Sequence, residues 1–129
     1  MKMRRSIVLL NNDPVMYMIA NLLINHWLKE STIQVLSNEH LALHFIVTQT
    51  KVTEEITVLL DLDIQGFDGG TFIQAFDKLS DSVKEKVQIF VIGSNFRPLD
   101  EIRIFQSKAV KNHFEKALLL EKLQRMEKS

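Results

Sequence analysis

Two kinds of hydrophobic pattern alternate along this chain. Short continuous apolar runs have the length of strands buried on both faces. Between them, apolar residues recur every three or four positions, as they do in amphipathic helices. The runs are Ile7–Leu10, Ile33–Leu36, Ile56–Leu60, Val87–Ile92 and, more weakly, Asn112–Glu115. This alternation predicts an α/β fold of five βα units, in which a parallel sheet is connected by crossover helices.

The stretches between the runs predict the helices. Asp13 followed by Pro14 is typical of a helix N-cap and a first helical position, and the helical period then extends to about Lys29. We expect a loop over Leu62–Gly70, which contains three of the four glycines. The expected apolar helix faces are Met16, Ile19, Leu23 and Trp27; Leu41, Leu43 and Phe45; Phe72, Phe76 and Leu79; Leu99, Ile102 and Phe105, after a start at Pro98; and Leu119, Leu120, Leu123 and Met126.

Composition and charge narrow the class of protein. The length of 129 residues predicts one domain over 1–129. The 16 basic and 16 acidic side chains give a net charge of zero, which argues against a strongly basic nucleic-acid-binding domain and against an acidic disordered chain. Cysteine is absent, so disulfides, zinc–cysteine sites and thiol nucleophiles are excluded. Because the apolar runs are too short for a signal peptide or a membrane span, we expect a cytoplasmic protein.

Polar residues follow the predicted strands directly. In open parallel sheets, ligands bind at the carboxyl ends of the strands, near the point where strand order reverses. Candidate site residues are therefore those just after the runs. They are Asn11, Asn12 and Asp13 after the first; Asp61 and Asp63 after the third; Gly93 and Ser94 after the fourth; and Glu115 and Lys116 after the fifth.

Three of these strand ends carry a resemblance to a known family. Residues 59–69 read LLDLDIQGFDG, Asn11 to Pro14 read NNDP, and Glu115 to Leu118 read EKAL. The first resembles the phosphoacceptor segment of response regulator receiver domains, usually LLDxxMPxMDG. The other two stand where that family has its acidic pair and its lysine turn. The resemblance covers nearly the whole chain. The sequence is most similar to stand-alone receivers of the kind common in Bacteroidetes.

The resemblance implies a fold and a phosphoryl transfer. The fold would be a flavodoxin-like three-layer sandwich, with a five-stranded parallel sheet in the order 2-1-3-4-5 and five flanking helices. Asp61 would accept a phosphoryl group, as a carboxylate nucleophile, from the phosphohistidine of a histidine kinase or a phosphotransfer protein. Lys116 and Ser94 would bind the phosphoryl oxygens. Such a domain is a signalling device whose chemistry is limited to its own phosphorylation, and not an enzyme with turnover.

The resemblance also implies a Mg²⁺ ion that neutralises charge on the transferring group. Its ligands would be Asn11, Asn12, Asp61 and Asp63. Family members usually carry two acidic residues where this chain has the two asparagines, so affinity for this hard cation should fall. Asp63 stands where the family often has a neutral residue, and its carboxylate could partly restore the lost charge.

The residues of the family's conformational switch are altered as well. Gly93 falls at the usual Thr or Ser position, and Ser94 lies one residue later. Ser94 could supply the switch hydroxyl or act as a helix-capping residue. His113 falls at the usual Tyr or Phe position.

These departures leave several functions open. The chain could be a phosphorylatable receiver with weak Mg²⁺ dependence, or a pseudo-receiver that binds a partner without phosphorylation. A haloacid dehalogenase-type phosphatase is a third interpretation, since Asp61-x-Asp63 after an apolar strand is that superfamily's first motif in outline. A later acidic pair is missing, however. A flavodoxin-like flavin protein would need a Ser/Thr/Gly-rich loop after the first strand, where this chain has NNDP.

The expected partners are proteins. About ten residues follow Lys116, enough for one last helix, so we expect no output domain, no nucleic-acid target and no membrane attachment. The signal would then leave through contact with an unknown downstream protein. The last two helices are the family's usual docking and dimerisation face, which makes a homodimer a candidate. Leu118 or Leu119 is expected to be exposed there.

Overall fold

The central sheet has the predicted architecture. The structure, a computed structural model, describes residues 4–10, 13–52, 54–64, 68–94 and 104–128. Its five strands all pair in parallel, in the order β2-β1-β3-β4-β5. The strands are β1 (Arg5–Leu10), β2 (Ser31–Leu36), β3 (Glu55–Asp61), β4 (Val87–Gly93) and β5 (Val110–Glu115). The order reverses beside β1, so the carboxyl ends of β1 and β3 form the expected ligand-binding edge.

Five helices flank this sheet within the described ranges. They are α1 (Pro14–His26), α2 (Glu39–Thr50), α3 (Gly69–Asp77), the single turn α4 (Asp81–Lys84) and α5 (Lys116–Glu127). Side-chain caps fix where several of them begin. The Asp13 carboxylate accepts a hydrogen bond from the Val15 amide at 2.8 Å, and the Glu115 carboxylate accepts one from the Leu118 amide at 2.9 Å. Each cap satisfies a backbone donor that has no partner inside its helix.

Hydrophobic residues on the two faces of the sheet form two cores. On β1, Val8 and Leu10 belong to one core, with residues of α2 and α3, while Ile7 and Leu9 belong to the other, with residues of α1 and α5. This alternation follows from the period of two along a strand. It explains the apolar runs Ile7–Leu10 of β1 and Val58–Leu60 of β3: both faces of these strands are covered.

Several element boundaries differ from the sequence expectations. Helix α1 ends at His26, so Trp27 is its C-cap residue and is exposed. The loop predicted over Leu62–Gly70 was wrong at its end, because Asp68 accepts a hydrogen bond from the Gly70 amide and α3 therefore starts at Gly69. The single turn α4 was not predicted, since four residues give no helical period.

Two further expectations concern the last helices. Most of the helix predicted after Pro98 lies outside the described residues, although Ile104 and Phe105 are helical. On α5, Leu118 is 65% exposed, whereas Leu119 is only 3% exposed and packs in the core. Of the two leucines of which one was expected to be exposed, Leu118 is the exposed one, because Leu119 lies on the helix face that meets α1 and the sheet.

Within the described ranges, no helix combines the length and the apolar character needed to cross a membrane.

Candidate functional site

Asp61 is a buried carboxylate at the carboxyl end of an inner strand. It is the last residue of β3, lies opposite Ile92 of β4 and is 3% exposed. Its Oδ1 accepts a hydrogen bond from the Asp63 amide at 2.9 Å, and its Oδ2 accepts one from Lys116 Nζ at 3.0 Å. Both carboxylate oxygens are thus engaged, one by a backbone dipole and one by a full positive charge.

Lys116 provides that positive charge from across the sheet. It is the first residue of α5 and follows β5 without an intervening loop, which directs it toward the end of β3. Its Nζ lies 3.0 Å from Asp61 Oδ2 and 3.0 Å from Asp63 Oδ2, and its side chain is 17% exposed. Burial by itself lowers the pKa of this ammonium group, but the hydrogen bonds and charges of the two aspartates outweigh burial and raise the pKa above its ordinary value.

Asp63 lies at the outer side of the same cluster. Its Oδ1 accepts a hydrogen bond from the Ser94 amide at 3.0 Å, and its Oδ2 accepts one from the Ser94 hydroxyl at 2.8 Å. Burial by itself raises the pKa of the Asp63 carboxyl. The hydrogen bonds from Ser94 and Lys116, together with the charge of Lys116, outweigh that effect and lower the pKa below its ordinary value.

Ser94 follows the fourth strand as expected and joins the cluster, whereas Gly93 lies within the strand. Gly93 is the buried last residue of β4. A Cβ atom added to it would lie 3.3 Å from Leu62 Cβ and 3.7 Å from Asp63 Oδ1, so even a small side chain would press on the turn after β3. The Ser94 hydroxyl is bonded to Asp63.

His113 lies on β5, at the edge of the sheet. It is exposed, and its ring packs against the Phe105 ring, with centroids 4.7 Å apart. Asn11 and Asn12, the predicted first pair of metal ligands, lie outside the residues that the structure describes. Asp13, which precedes α1, uses its carboxylate as that helix's cap.

The described side chains supply only part of a divalent-cation site. Carboxylate oxygens are the ligands that Mg²⁺ prefers, and Asp61 and Asp63 supply them at one place. However, Lys116 Nζ lies between one oxygen of each carboxylate and offsets one of their two negative charges where a cation would bind. Among the described residues, no group of three or more His, Cys, Asp or Glu side chains is placed to hold a metal ion.

Comparisons with known proteins give matches in structure and none in sequence. No protein-family model matches the chain, and no curated protein matches it. A response regulator receiver protein from Dyadobacter fermentans superposes with a TM-score of 0.69 at 20% identity, over 95% of this chain and 96% of that chain. This chain has the receiver fold. The expected likeness to receivers from Bacteroidetes is confirmed.

Two further receiver structures are informative because of their chemical state. The phosphorylated cyanobacterial phytochrome response regulator RcpA matches with a TM-score of 0.69 at 13% identity, over 98% of this chain and 93% of that chain. The Mn²⁺-bound form of response regulator Rcp1 matches with a TM-score of 0.67 at 15% identity, over 96% of this chain and 91% of that chain. At these identities the likeness establishes the fold.

The part of the site that sequence reasoning missed is the role of the Asp63 side chain. Asp63 was expected as a metal ligand and Ser94 as a phosphate-binding or capping residue, but no direct bond between them was predicted. The signal was available: Asp63 lies two residues beyond β3 and Ser94 one residue beyond β4, and these strands are neighbours. Asp63 adds an acid where the family often has a neutral residue, and Ser94 places a hydroxyl one residue later than usual. Because they follow adjacent strands, a hydrogen bond between them could have been predicted.

Proposed function

We propose that this chain is a two-component receiver that accepts a phosphoryl group on Asp61 and signals through protein contact. The observation that supports this most directly is the 3.0 Å bond between Asp61 Oδ2 and Lys116 Nζ at the carboxyl edge of a receiver-type sheet. A buried carboxylate that is paired with a lysine is suited to act as a nucleophile toward phosphorus. The phosphorylated state of the structural neighbour RcpA agrees with this chemistry.

In the proposed reaction, an Asp61 carboxylate oxygen attacks phosphorus as the bond from phosphorus to the donor breaks. The donor is a phosphohistidine, which leaves as histidine, or a small acyl phosphate, which leaves as its carboxylate. The product is an acyl phosphate on Asp61. Lys116 shifts from the carboxylate to the phosphoryl oxygens, so that its charge stabilises both the attack and the product.

Three features of the proposal concern residues with altered chemistry. Ser94 supplies a hydroxyl to the phosphoryl group, and Gly93, Ser94 and His113 form the conformational switch. Mg²⁺ assists, with binding weakened by the asparagines Asn11 and Asn12, and the Mn²⁺-bound neighbour supports a cation at such a site. Because Lys116 already offsets one of the two aspartate charges here, we expect phosphorylation to depend only weakly on Mg²⁺.

The proposed partners and setting follow from the same function. The phosphoryl donor is a histidine kinase or phosphotransfer protein in the cytoplasm, and the downstream partner is a protein. Residues 1–129 act as one receiver domain, and its chemistry is its own phosphorylation only. Docking or homodimerisation uses the last two helices, where Leu118 is 65% exposed.

Acetyl phosphate and a phosphorylated histidine kinase test the proposal. We expect intact-mass spectrometry to show one added phosphoryl group on the wild-type chain and none on Asp61→Ala. Asp81→Asn, on the exposed α4 turn, is the matched control and should be phosphorylated like the wild type. No adduct with either donor on a folded chain would overturn the proposal. Asp61- and Asp63-dependent turnover of a small phosphate ester would instead identify a phosphatase.

A second candidate is a pseudo-receiver that binds its partner without phosphorylation. It is favoured by one specific observation: both oxygens of Asp61 already accept hydrogen bonds, and the nearby donors are shared with Asp63. In that case, partner binding measured on the unphosphorylated chain would be unchanged by Asp61→Ala.

A further inference from the structure

The Asp63 carboxylate is the centre of a network of three donors. The Ser94 amide lies 3.0 Å from its Oδ1, while the Ser94 hydroxyl at 2.8 Å and Lys116 Nζ at 3.0 Å meet its Oδ2. A backbone N–H, a hydroxyl and an ammonium that converge on one anion are the donors that protein sites typically use to bind phosphate oxygens. Here they bind a side chain of the same molecule.

The positions of Asp61 and Asp63 around Lys116 show which other anion could bind these donors. Lys116 Nζ is equally close to Asp61 Oδ2 and to Asp63 Oδ2, so the two carboxylates lie on either side of one ammonium. Asp61 is at the buried side, with 4% of its side chain exposed, and Asp63 is at the solvent side, with 31% exposed. A phosphoryl group on Asp61 would extend from the buried side toward the donors that Asp63 now holds.

We infer that the Asp63 carboxylate acts as a built-in substitute for a phosphoryl group, holding Ser94 and Lys116 in an anion-bound arrangement before any phosphate arrives. Asp63 is thus a positioning residue, which acts through Ser94 and Lys116. The inference rests on the proposed function, because the donors concerned belong to the phosphoacceptor site. It adds that a phosphate-type oxyanion must displace Asp63 to bind.

The energetics favour such a substitution. Asp63 belongs to the same chain as these donors and therefore loses little freedom when it binds them. A free phosphate loses its translational and rotational freedom. A second anion would also meet the negative charge of Asp63 itself. Removing that charge should free both Ser94 donors and leave Lys116 with Asp61 as its single acidic partner in this cluster, which converts the outer side of the site into an anion-binding site.

The test is a titration with inorganic phosphate at constant ionic strength, followed through the ¹H–¹⁵N signal of the Ser94 amide. We expect Asp63→Asn to bind phosphate saturably and at least about tenfold more tightly than the wild-type chain. Asp81→Asn removes the same charge on α4 and should bind like the wild type. Lys116→Met added to Asp63→Asn should abolish the gain.

Equal phosphate affinity of Asp63→Asn and the wild type would overturn the inference. Asp63→Ala provides a second variant if Asp63→Asn loses its thermal unfolding transition, and the same two outcomes apply to it. Phosphate binding does not require an acyl phosphate on Asp61. An Asp61 adduct without a gain in phosphate affinity therefore refutes this inference alone, and a gain without an adduct refutes the proposed function alone.

Discussion

Two buried carboxylates lie at opposite ends of the sheet and have different partners. Asp61, at the carboxyl end of β3, is 3% exposed and bonded to the ammonium of Lys116. Glu54, just before the amino end of β3, is 1% exposed and accepts a hydrogen bond from the Ser6 hydroxyl. Among the described residues, its other oxygen, Oε2, has no hydrogen-bond partner, and no ion pair involves it.

The comparison teaches that burial alone does not suit a carboxylate to phosphoryl transfer, because its partners matter as well. Burying a carboxylate is unfavourable unless charge and hydrogen bonds compensate for it. At Asp61 a lysine provides that compensation and can follow the charge onto a phosphoryl group. At Glu54 a neutral hydroxyl provides only a hydrogen bond. The carboxylate at the amino end therefore lacks the neighbouring positive charge that phosphoryl transfer needs.

Removing the lysine at the carboxyl end should have the largest effect. We expect Lys116→Met to slow phosphorylation of Asp61 by acetyl phosphate about 100-fold, because it removes the charge that stabilises the transferring group. The rate is measured by quenched intact-mass spectrometry.

Lys86 offers the matched control at the amino end of the sheet. Its Nζ donates to the Thr50 carbonyl oxygen at 2.7 Å, so Lys86→Met removes a lysine whose described hydrogen bond is to the backbone. We expect the phosphorylation rate of this variant to stay within about twofold of the wild type. Equal losses in the two lysine variants would mean that net charge, and not the site, controls the rate.

Neutralising the two carboxylates should change stability in opposite directions. Glu54→Gln replaces a buried carboxyl group that has no described counter-ion and one unpartnered oxygen, and we expect it to raise the free energy of unfolding by about 1 kcal/mol. Asp61→Asn weakens a charge-assisted bond to Lys116, and we expect a loss of about 1 kcal/mol. Urea unfolding measures both, and a change of the same sign in both variants would contradict the comparison.

The smallest effects are expected in the pH dependence of the site. Because folding lowers the pKa of Asp63, its contribution to stability is fully present above the ordinary value of 3.8 and is lost as the pH falls through the folded pKa. Because folding raises the pKa of Lys116, its contribution is fully present below 10.5 and is lost as the pH rises through the folded pKa.

Two variants measure these contributions. The difference in unfolding free energy between the wild type and Asp63→Asn should shrink in acid, below the ordinary Asp63 value of 3.8. The difference between the wild type and Lys116→Met should shrink in alkali, above 10.5. Differences that stay constant through both windows would show that the cluster does not hold these charges in solution.

The strands could be predicted because the relevant information is local, whereas the strand order was implied by the resemblance to receiver domains. Mostly apolar runs such as Ile56–Leu60 have no solvent-facing positions, which identifies them as inner strands. The convergence of Asp61 and Lys116 follows from the rule that parallel strands end at one edge. The fold and the proximity of these two side chains could therefore be predicted from the sequence.

Other features depended on side-chain choices that periodicity does not encode. Leu118 and Leu119 are adjacent and equally apolar, and only the orientation of α5 decides which of them is buried. Glu54 reads as an ordinary polar residue before a strand, yet it is buried beside Ser6. The bonds from Ser94 to Asp63 depend on which way two short side chains turn at neighbouring strand ends.

The central claim, that Asp61 is the phosphoacceptor, is tested most directly by locating the acyl phosphate chemically. After treatment with acetyl phosphate, borohydride reduction converts an aspartyl phosphate to homoserine, and peptide mass mapping identifies its position. We predict homoserine at position 61 in the wild type and in Glu54→Gln. Homoserine at position 63 or elsewhere, or at no position in a folded chain, would contradict the account.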